Sequence, residues 1–217
     1  AKLEALATAP EPTTRPGAEL ALESLDIALL LNDEEKFLQG AMVLCNELNA
    51  RFKTSQVSLG WIQGGHVVLK AISNTQRFQK KTEVVRRLQW AMEESADQNE
   101  EIIFPKPPDD NYIAREHERF LNYAGMDAGA SLPIRVEGEP VGVVTLERAD
   151  VPFTSDEVKS LRLVVDLVSR RISDLEKTDQ WFGKRWYRSV RQGLGHVFGF
   201  EHTWVKLGVA AAFAFIA

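Results

Sequence analysis

The sequence predicts an α+β fold, an antiparallel sheet flanked by helices with one long helix at its C-terminal end. Three observations lead there. Two pairs of alternating segments close on glycine turns, which makes hairpins rather than crossovers. Segments with apolar residues at helical spacing separate the hairpins. A run of eighteen residues after the last strand, Val158–Leu175, keeps a 3,4 apolar spacing with no glycine or proline.

Residues 1–17 hold Pro10, Pro12 and Pro16 among Ala and Thr, too few apolar groups to bury, and are expected to form a flexible lead. Ala18–Leu31 reads as a helix with Leu22, Leu25 and Leu29 on one face. A second helix is expected over Asp33–Phe52, carrying Phe37, Ala41, Leu44, Leu48 and Phe52. Gln56–Gln63 and His66–Ser73 pair across Gly64-Gly65, and Val57, Leu59 and Trp61 share a face. Lys81–Asp97 is helical, Glu101–Phe104 is a short strand stopped by Pro105, Pro107 and Pro108, and Asn111–Ala124 is a helix closed by Gly125.

The second hairpin runs from Leu132, Ile134 and Val136 through the turn Glu137-Gly138-Glu139, where Gly138 can take a positive φ. It continues into Val141, Val143 and Thr145 alternating with Gly142, Val144 and Leu146. Thr154 or Ser155 caps the long helix, with Asp156 and Glu157 in its first turn. Val158, Leu161, Val165, Val168, Ile172 and Leu175 form a heptad seam with Val, Val, Ile at one position and Leu, Val, Leu at the other. That pattern favours two strands, so a homodimer is expected. A chain that is 44% hydrophobic can bury one core of roughly 100–150 residues.

The net charge of −5 conceals a division: residues 177–206 carry six Lys or Arg against two acids, so the rest carries −9. An acidic body lacks the basic footprint that nucleic acid requires. The basic stretch, with Trp181, Phe182, Trp186 and Tyr187, reads instead as a juxtamembrane amphipathic helix facing an anionic surface. Leu207–Ala217 has no polar side chain, and at ~1.5 Å per residue it reaches about half of a ~30 Å hydrocarbon core. It is expected to begin a truncated membrane span with Trp204 and Lys206 as its interfacial anchor; a C-terminal tuck into the core is the alternative. Positive charge on this side puts the folded body at the cytoplasmic face of an inner membrane. No apolar leader opens the chain, so no signal peptide is expected.

The order of elements resembles a GAF domain, as do Ser131-Leu132-Pro133-Ile134, the run Glu139 to Leu146 and Pro152-Phe153-Thr154-Ser155-Asp156-Glu157. The resemblance covers roughly residues 25–175 (domain limits 18–176). It implies a six-stranded antiparallel sheet with a ligand cleft on one face and packed, dimerising first and last helices on the other. Phe200-Glu201-His202-Thr203-Trp204-Val205-Lys206-Leu207 and the apolar tail resemble the join to a transmembrane helix in bacterial HlyD-like secretion and efflux adaptors.

No catalytic constellation is legible. Cys45 beside Leu44 reads as a buried core thiol, and the GAF-type methionine-sulfoxide reductases need several cysteines. His66, His117, His196 and His202 are too scattered for the three or four convergent ligands a metal needs, so no metal and no cofactor are expected. The cyclic-nucleotide GAF signature is unmatched around Phe120, Asn122 and Asp127, and no Gly-rich phosphate loop occurs. By the resemblance, Trp61, Trp90, Phe104, Tyr112, Arg115 and Ser131 would line a small-molecule cleft, apolar walls with a few polar handles; the alternative makes Trp61 and Trp90 ordinary core. The expectation is a non-enzymatic sensory module, with a ligand-free scaffold or the sensor region of a histidine kinase or cyclase as alternatives.

Overall fold

The computed structural model describes residues 16–75 and 82–198, with side chains over 24–75 and 82–179. Its elements run α1 (Pro16–Asn32), α2 (Phe37–Phe52), β1 (Gln56–Gln63), β2 (His66–Ile72), α3 (Glu83–Gln98), β3 (Ile102–Phe104), α4 (Arg115–Ala124), β4 (Ala128–Val136), β5 (Glu139–Arg148) and α5 (Ser155–Phe198). That succession is the one read along the chain. The strands form one antiparallel sheet in the order β2-β1-β5-β4-β3. Among the described residues it has five strands, which corrects the six implied by the resemblance.

Both hairpins turn on two residues. Gly64 and Gly65 have φ of 62° and 84°, and Glu137 and Gly138 have 56° and 87°. Two successive positive φ values match the twist of the flanking strands.

The sheet separates two apolar layers. On one face Val57, Leu59 and Trp61 of β1, Ala130, Leu132 and Ile134 of β4, and Val144 and Leu146 of β5 meet Leu44 and Leu48 of α2 and the apolar stripe of α5. Each such fully buried side chain contributes roughly 1.5–3 kcal/mol. On the other face Val67, Leu69 and Val143 meet Val85, Leu88 and Met92 of α3 and Phe120 and Leu121 of α4. Gly60 lets α3 approach: a Cβ there would lie 2.4 Å from Val67 Cγ1 and 2.6 Å from Met92 Sδ.

The expected dimer seam belongs to the first layer. Leu161, Val165, Val168, Ile172 and Leu175 are buried in the chain's own core and Val158 packs at its edge. Leu175 and Ile172 reach Gly40 of α2, whose missing Cβ leaves them room. A 3,4 repeat records one apolar stripe on a helix, and within this chain the sheet and α2 pack against it.

Helix limits follow the hydrogen bonds. The Arg171 guanidinium donates to the carbonyls of Leu31, Asn32 and Glu34 at 3.3, 3.0 and 2.6 Å, so the chain breaks between α1 and α2 and the second helix starts at Phe37 rather than Asp33. Before α5, the Thr154 N–H donates to Glu157 Oε2 at 2.8 Å and the Glu157 N–H to Thr154 Oγ1 at 3.2 Å, a reciprocal capping box.

The chain divides into two compact units, Ala1–Leu175 and Glu176–Ala217. The second is described as helix as far as Phe198. Most of the expected lead, the anchor residues Trp204 and Lys206 and the apolar tail 207–217 lie outside the described residues. Among the described residues no helix is long and apolar enough to cross a membrane.

Candidate functional site

The face of the sheet under α3 and α4 carries a polar row that its opposite face lacks. Strand alternation sends Ser58, Thr145 and Ser131 to this side, and the pairings Ser58↔Thr145 and Ser131↔Thr145 set them abreast on three neighbouring strands. One register step away Gln56 pairs with Glu147.

Two arrangements grow from this row. In the first, Ser131 Oγ is 2.8 Å from Thr145 Oγ1 and 2.7 Å from His117 Nε2, and His117 Nδ1 is 2.8 Å from Glu94 Oε2. An ionised carboxylate only accepts, so Nδ1 donates to Glu94. With a neutral imidazole, Ser131 then donates to Nε2 and Thr145 donates to Ser131. Glu94 also accepts the backbone N–H groups of Glu116 and His117 at 3.0 and 3.1 Å. Ala114 has no capping side chain, so a carboxylate from α3 caps α4, which starts at Arg115 and not at Asn111. Burial alone would raise the Glu94 pKa; the His117 ring and the two backbone donors outweigh it and hold the carboxyl below its ordinary range.

Acid, imidazole and hydroxyl stand in the sequence used by nucleophilic triads. Ser131 and His117 are, however, 0% and 1% exposed, so no substrate carbonyl reaches the hydroxyl. The chain ties α3, α4, β4 and β5 together.

The second arrangement is a cleft of about 370 Å³ between the sheet and the outer ends of α3 and α4. Val85, Leu88, Phe120 and Met126 supply apolar wall; Thr75 and Thr82 lie at its rim, and Gln56 and Glu147 present polar groups from the sheet. Glu147 is 2% exposed. Its hydrogen-bond partner among the described residues is the Gln56 side-chain amide, which donates to Oε1 at 3.2 Å. Burial pushes the Glu147 carboxyl from 4.5 up to about 7, and the Gln56 hydrogen bond only partly opposes it. The next residue, Arg148, points to the other face. Its guanidinium donates to the Phe52 carbonyl that ends α2 and to Glu157 in the first turn of α5, and lies 4.3 Å from the Phe153 ring centre.

The residues expected to line a cleft are dispersed. Ser131 sits in the polar row beneath α4. Trp61 is buried on the opposite face, 5.0 Å edge-to-face from Phe37, because it alternates with Val57 and Leu59. Trp90 is exposed on α3 under the Arg86 guanidinium and borders an open acidic groove with Glu93, Glu94 and Glu116. Phe104 packs at the edge of the second core. The Tyr112 hydroxyl donates to the Ile103 carbonyl at 2.9 Å and accepts its N–H at 3.1 Å; half-buried there, it loses solvation and its pKa is pushed up to about 12. Arg115 is exposed on the first residue of α4. None of the six lines the cleft.

Glu147 carried a signal that the sequence reading passed over: it continues the alternation of Val143 and Thr145 and ends an apolar run with an acid. Phe120 and Met126 had no comparable mark. Cys45 is fully buried, and desolvation pushes its thiol pKa far up, away from the reactive thiolate. No group of three or more metal-ligating side chains occurs among the described residues.

No curated protein matches the sequence. Among solved structures, the GAF domain of an Acinetobacter phosphoenolpyruvate-protein phosphotransferase superimposes with a TM-score of 0.59 at 13% identity, over 75% of this chain and 98% of that one. A bacteriophytochrome of R. palustris gives 0.57 at 12% identity over 90% of this chain and 45% of its own. The free methionine-R-sulfoxide reductase of Neisseria meningitidis, solved with its substrate, gives 0.53 at 13% over 74% and 93%. At such identities the likeness is one of fold. The model of the GAF domain matches residues 30–172, which takes in both apolar layers, the polar row and every strand between them, and so the chain belongs to the GAF-domain family.

Proposed function

We propose that this chain is a sensory module that binds a small molecule between its sheet and α3/α4 and passes occupancy to α5. The cleft over Glu147 carries the reading. Its size lies at the lower end of the range for small-molecule sites, and it combines apolar walls with a buried, nearly uncommitted carboxylate. A route outward is at hand in β5: Glu147 faces the cleft while Arg148, one residue on, grips the end of α2 and the start of α5. A shift of β5 on binding would move the α5 capping box, biasing the helix between two packings. Native mass spectrometry tests this. A defined retained mass, lost when Ala124→Trp fills the cleft, supports it; a folded chain that carries and binds nothing favours the scaffold reading.

In this proposal the module acts by binding and not by turnover, since Cys45 and Ser131 are both buried. It works as a homodimer at the inner membrane. With the heptad stripe engaged internally, the dimer contact falls to Leu163 and Leu167, one turn apart and 43% and 44% exposed. Leu163→Glu with Leu167→Glu should then convert a dimer to a monomer in analytical ultracentrifugation. Membrane attachment and a HlyD-like adaptor as the parent rest on the basic, aromatic and apolar residues 177–217 alone. The full chain should sediment with anionic vesicles, and a chain ending at Glu176 should not.

A further inference from the structure

Most of the polar groups on the inner face of the sheet are satisfied by one another. Ser131, Thr145, His117 and Glu94 form a closed chain in which each acceptor meets a donor. Glu147 is the exception. It is 2% exposed, it lines the cleft, and a single neutral amide is the one donor that reaches it among the described residues. A carboxylate offers about four acceptor positions, and one neutral hydrogen bond does not replace the water lost on burial. The same cleft presents an aromatic ring, Phe120, and the Met126 thioether, both soft surfaces suited to a cation or to the carbon body attached to it.

We infer that the cleft selects a small organic cation, an alkyl or arylalkyl ammonium whose N–H donors meet Glu147 and whose apolar body lies along Val85, Leu88, Phe120 and Met126. The inference rests on the proposed ligand-binding role of the cleft and adds the chemical class. An ammonium supplies three donors and a full positive charge to a group that has one neutral donor and no positive charge beside it among the described residues. A neutral alcohol of the same shape would keep the apolar contacts and offer one uncharged donor in place of three charge-assisted ones. A carboxylate ligand would face like charge.

Proton linkage gives the same direction. With its carboxyl pushed up to about 7, Glu147 is mostly ionised at pH 8 and mostly protonated at pH 5.5. Among the described residues it is the one titratable side chain that lines the cleft; its facing neighbours are Gln56 of β1, Thr75, Thr82 and the apolar wall. Preference for a cation should therefore weaken in acid, while affinity for a neutral analogue should not.

The test is calorimetric titration of the full chain with two matched pairs, phenethylammonium chloride against phenethyl alcohol and n-butylammonium chloride against n-butanol. At pH 8 the ammonium members should bind at least tenfold more tightly than their alcohols. The ratio should fall at least fivefold by pH 5.5, and Glu147→Gln should bring it close to one. Equal binding of ammonium and alcohol in the wild type, or a preference that survives Glu147→Gln, overturns the cation assignment and leaves the ligand-site reading standing. Binding of no probe at millimolar concentration, with the fold intact by amide NMR, overturns both. The pH series on the wild type keeps the test decisive should the variant fold poorly.

Discussion

Replacing Glu147 by glutamine keeps the shape and the Gln56 contact but removes a charge that the fold holds at a disadvantage. Burial carries the carboxyl from 4.5 to about 7, so between those values the folded chain holds a proton that the unfolded chain has released. Stability then falls as pH rises. Below about pH 4.5 both states are protonated and the cost is absent; well above pH 7 it is present in full. At ~1.4 kcal/mol per tenfold change in the proton equilibrium, the cost reaches about 3 kcal/mol by pH 8 and stays under about 1 kcal/mol at pH 5. Glutamine has no such dependence. Glu147→Gln should match the wild type near pH 5 and exceed it by about 3 kcal/mol at pH 8.

Urea unfolding of both proteins at pH 5, 6, 7 and 8 measures this directly. With a slope of ~2 kcal/mol/M, the expected gap at pH 8 is roughly 1.5 M in midpoint. Subtracting one protein from the other at each pH cancels the opposite trend of Glu94 and Glu157. The carboxyls of those two lie below their ordinary range, so their stabilisation is lost as pH falls. A gap that stays flat from pH 5 to pH 8, or a wild type more stable than the variant at pH 8, would refute the desolvation argument and remove a main support of the cation inference.

Three further outcomes follow from the packing. His117→Ala leaves the buried Ser131 hydroxyl without its acceptor, takes the ring donor from Glu94 and empties the space of the ring, and should cost about 3 kcal/mol in chemical denaturation; Ser131→Ala should cost about 1 kcal/mol. A loss below 1 kcal/mol for His117→Ala would mean that water or a rearranged side chain replaces the ring. Arg148→Ala frees the Phe52 carbonyl and Glu157, which is partly exposed, so about 2 kcal/mol is expected, with faster amide exchange confined to the first turn of α5. Gly60→Ala should destabilise by roughly 1–3 kcal/mol, because the new methyl meets the stiff Val67 side chain as well as Met92; a neutral midpoint would show that α3 can move away from the sheet.

What the sequence revealed and what it withheld divide along a physical line. Period-2 and period-3.6 spacing, glycine pairs and capping residues are local, and they led to the ten elements in their order and to both hairpin turns. Ser131 entered through the GAF resemblance as a polar handle, and strand alternation sets it in the polar row beneath α4. Two features are not local. Which face of the sheet a strand residue joins depends on the helices that cover each side, so Trp61 read as a cleft wall although it alternates with Val57 and Leu59 into the α2/α5 layer. An apolar helical stripe states only that something covers it. In α5 the cover is the sheet and α2, with Gly40 giving Leu175 and Ile172 their space, and nothing in a 3,4 repeat separates that from a second copy of the chain. The site is more hidden still, because Glu147 acquires its meaning from Phe120 and Met126, more than twenty residues upstream, and from Gln56 on a neighbouring strand. An acid that closes an alternating apolar run is the sequence mark such a site leaves. At Glu147 its parity with Thr145 and Val143, rather than its charge, sets it on the cleft side of the sheet, away from the α2/α5 layer that Arg148 joins.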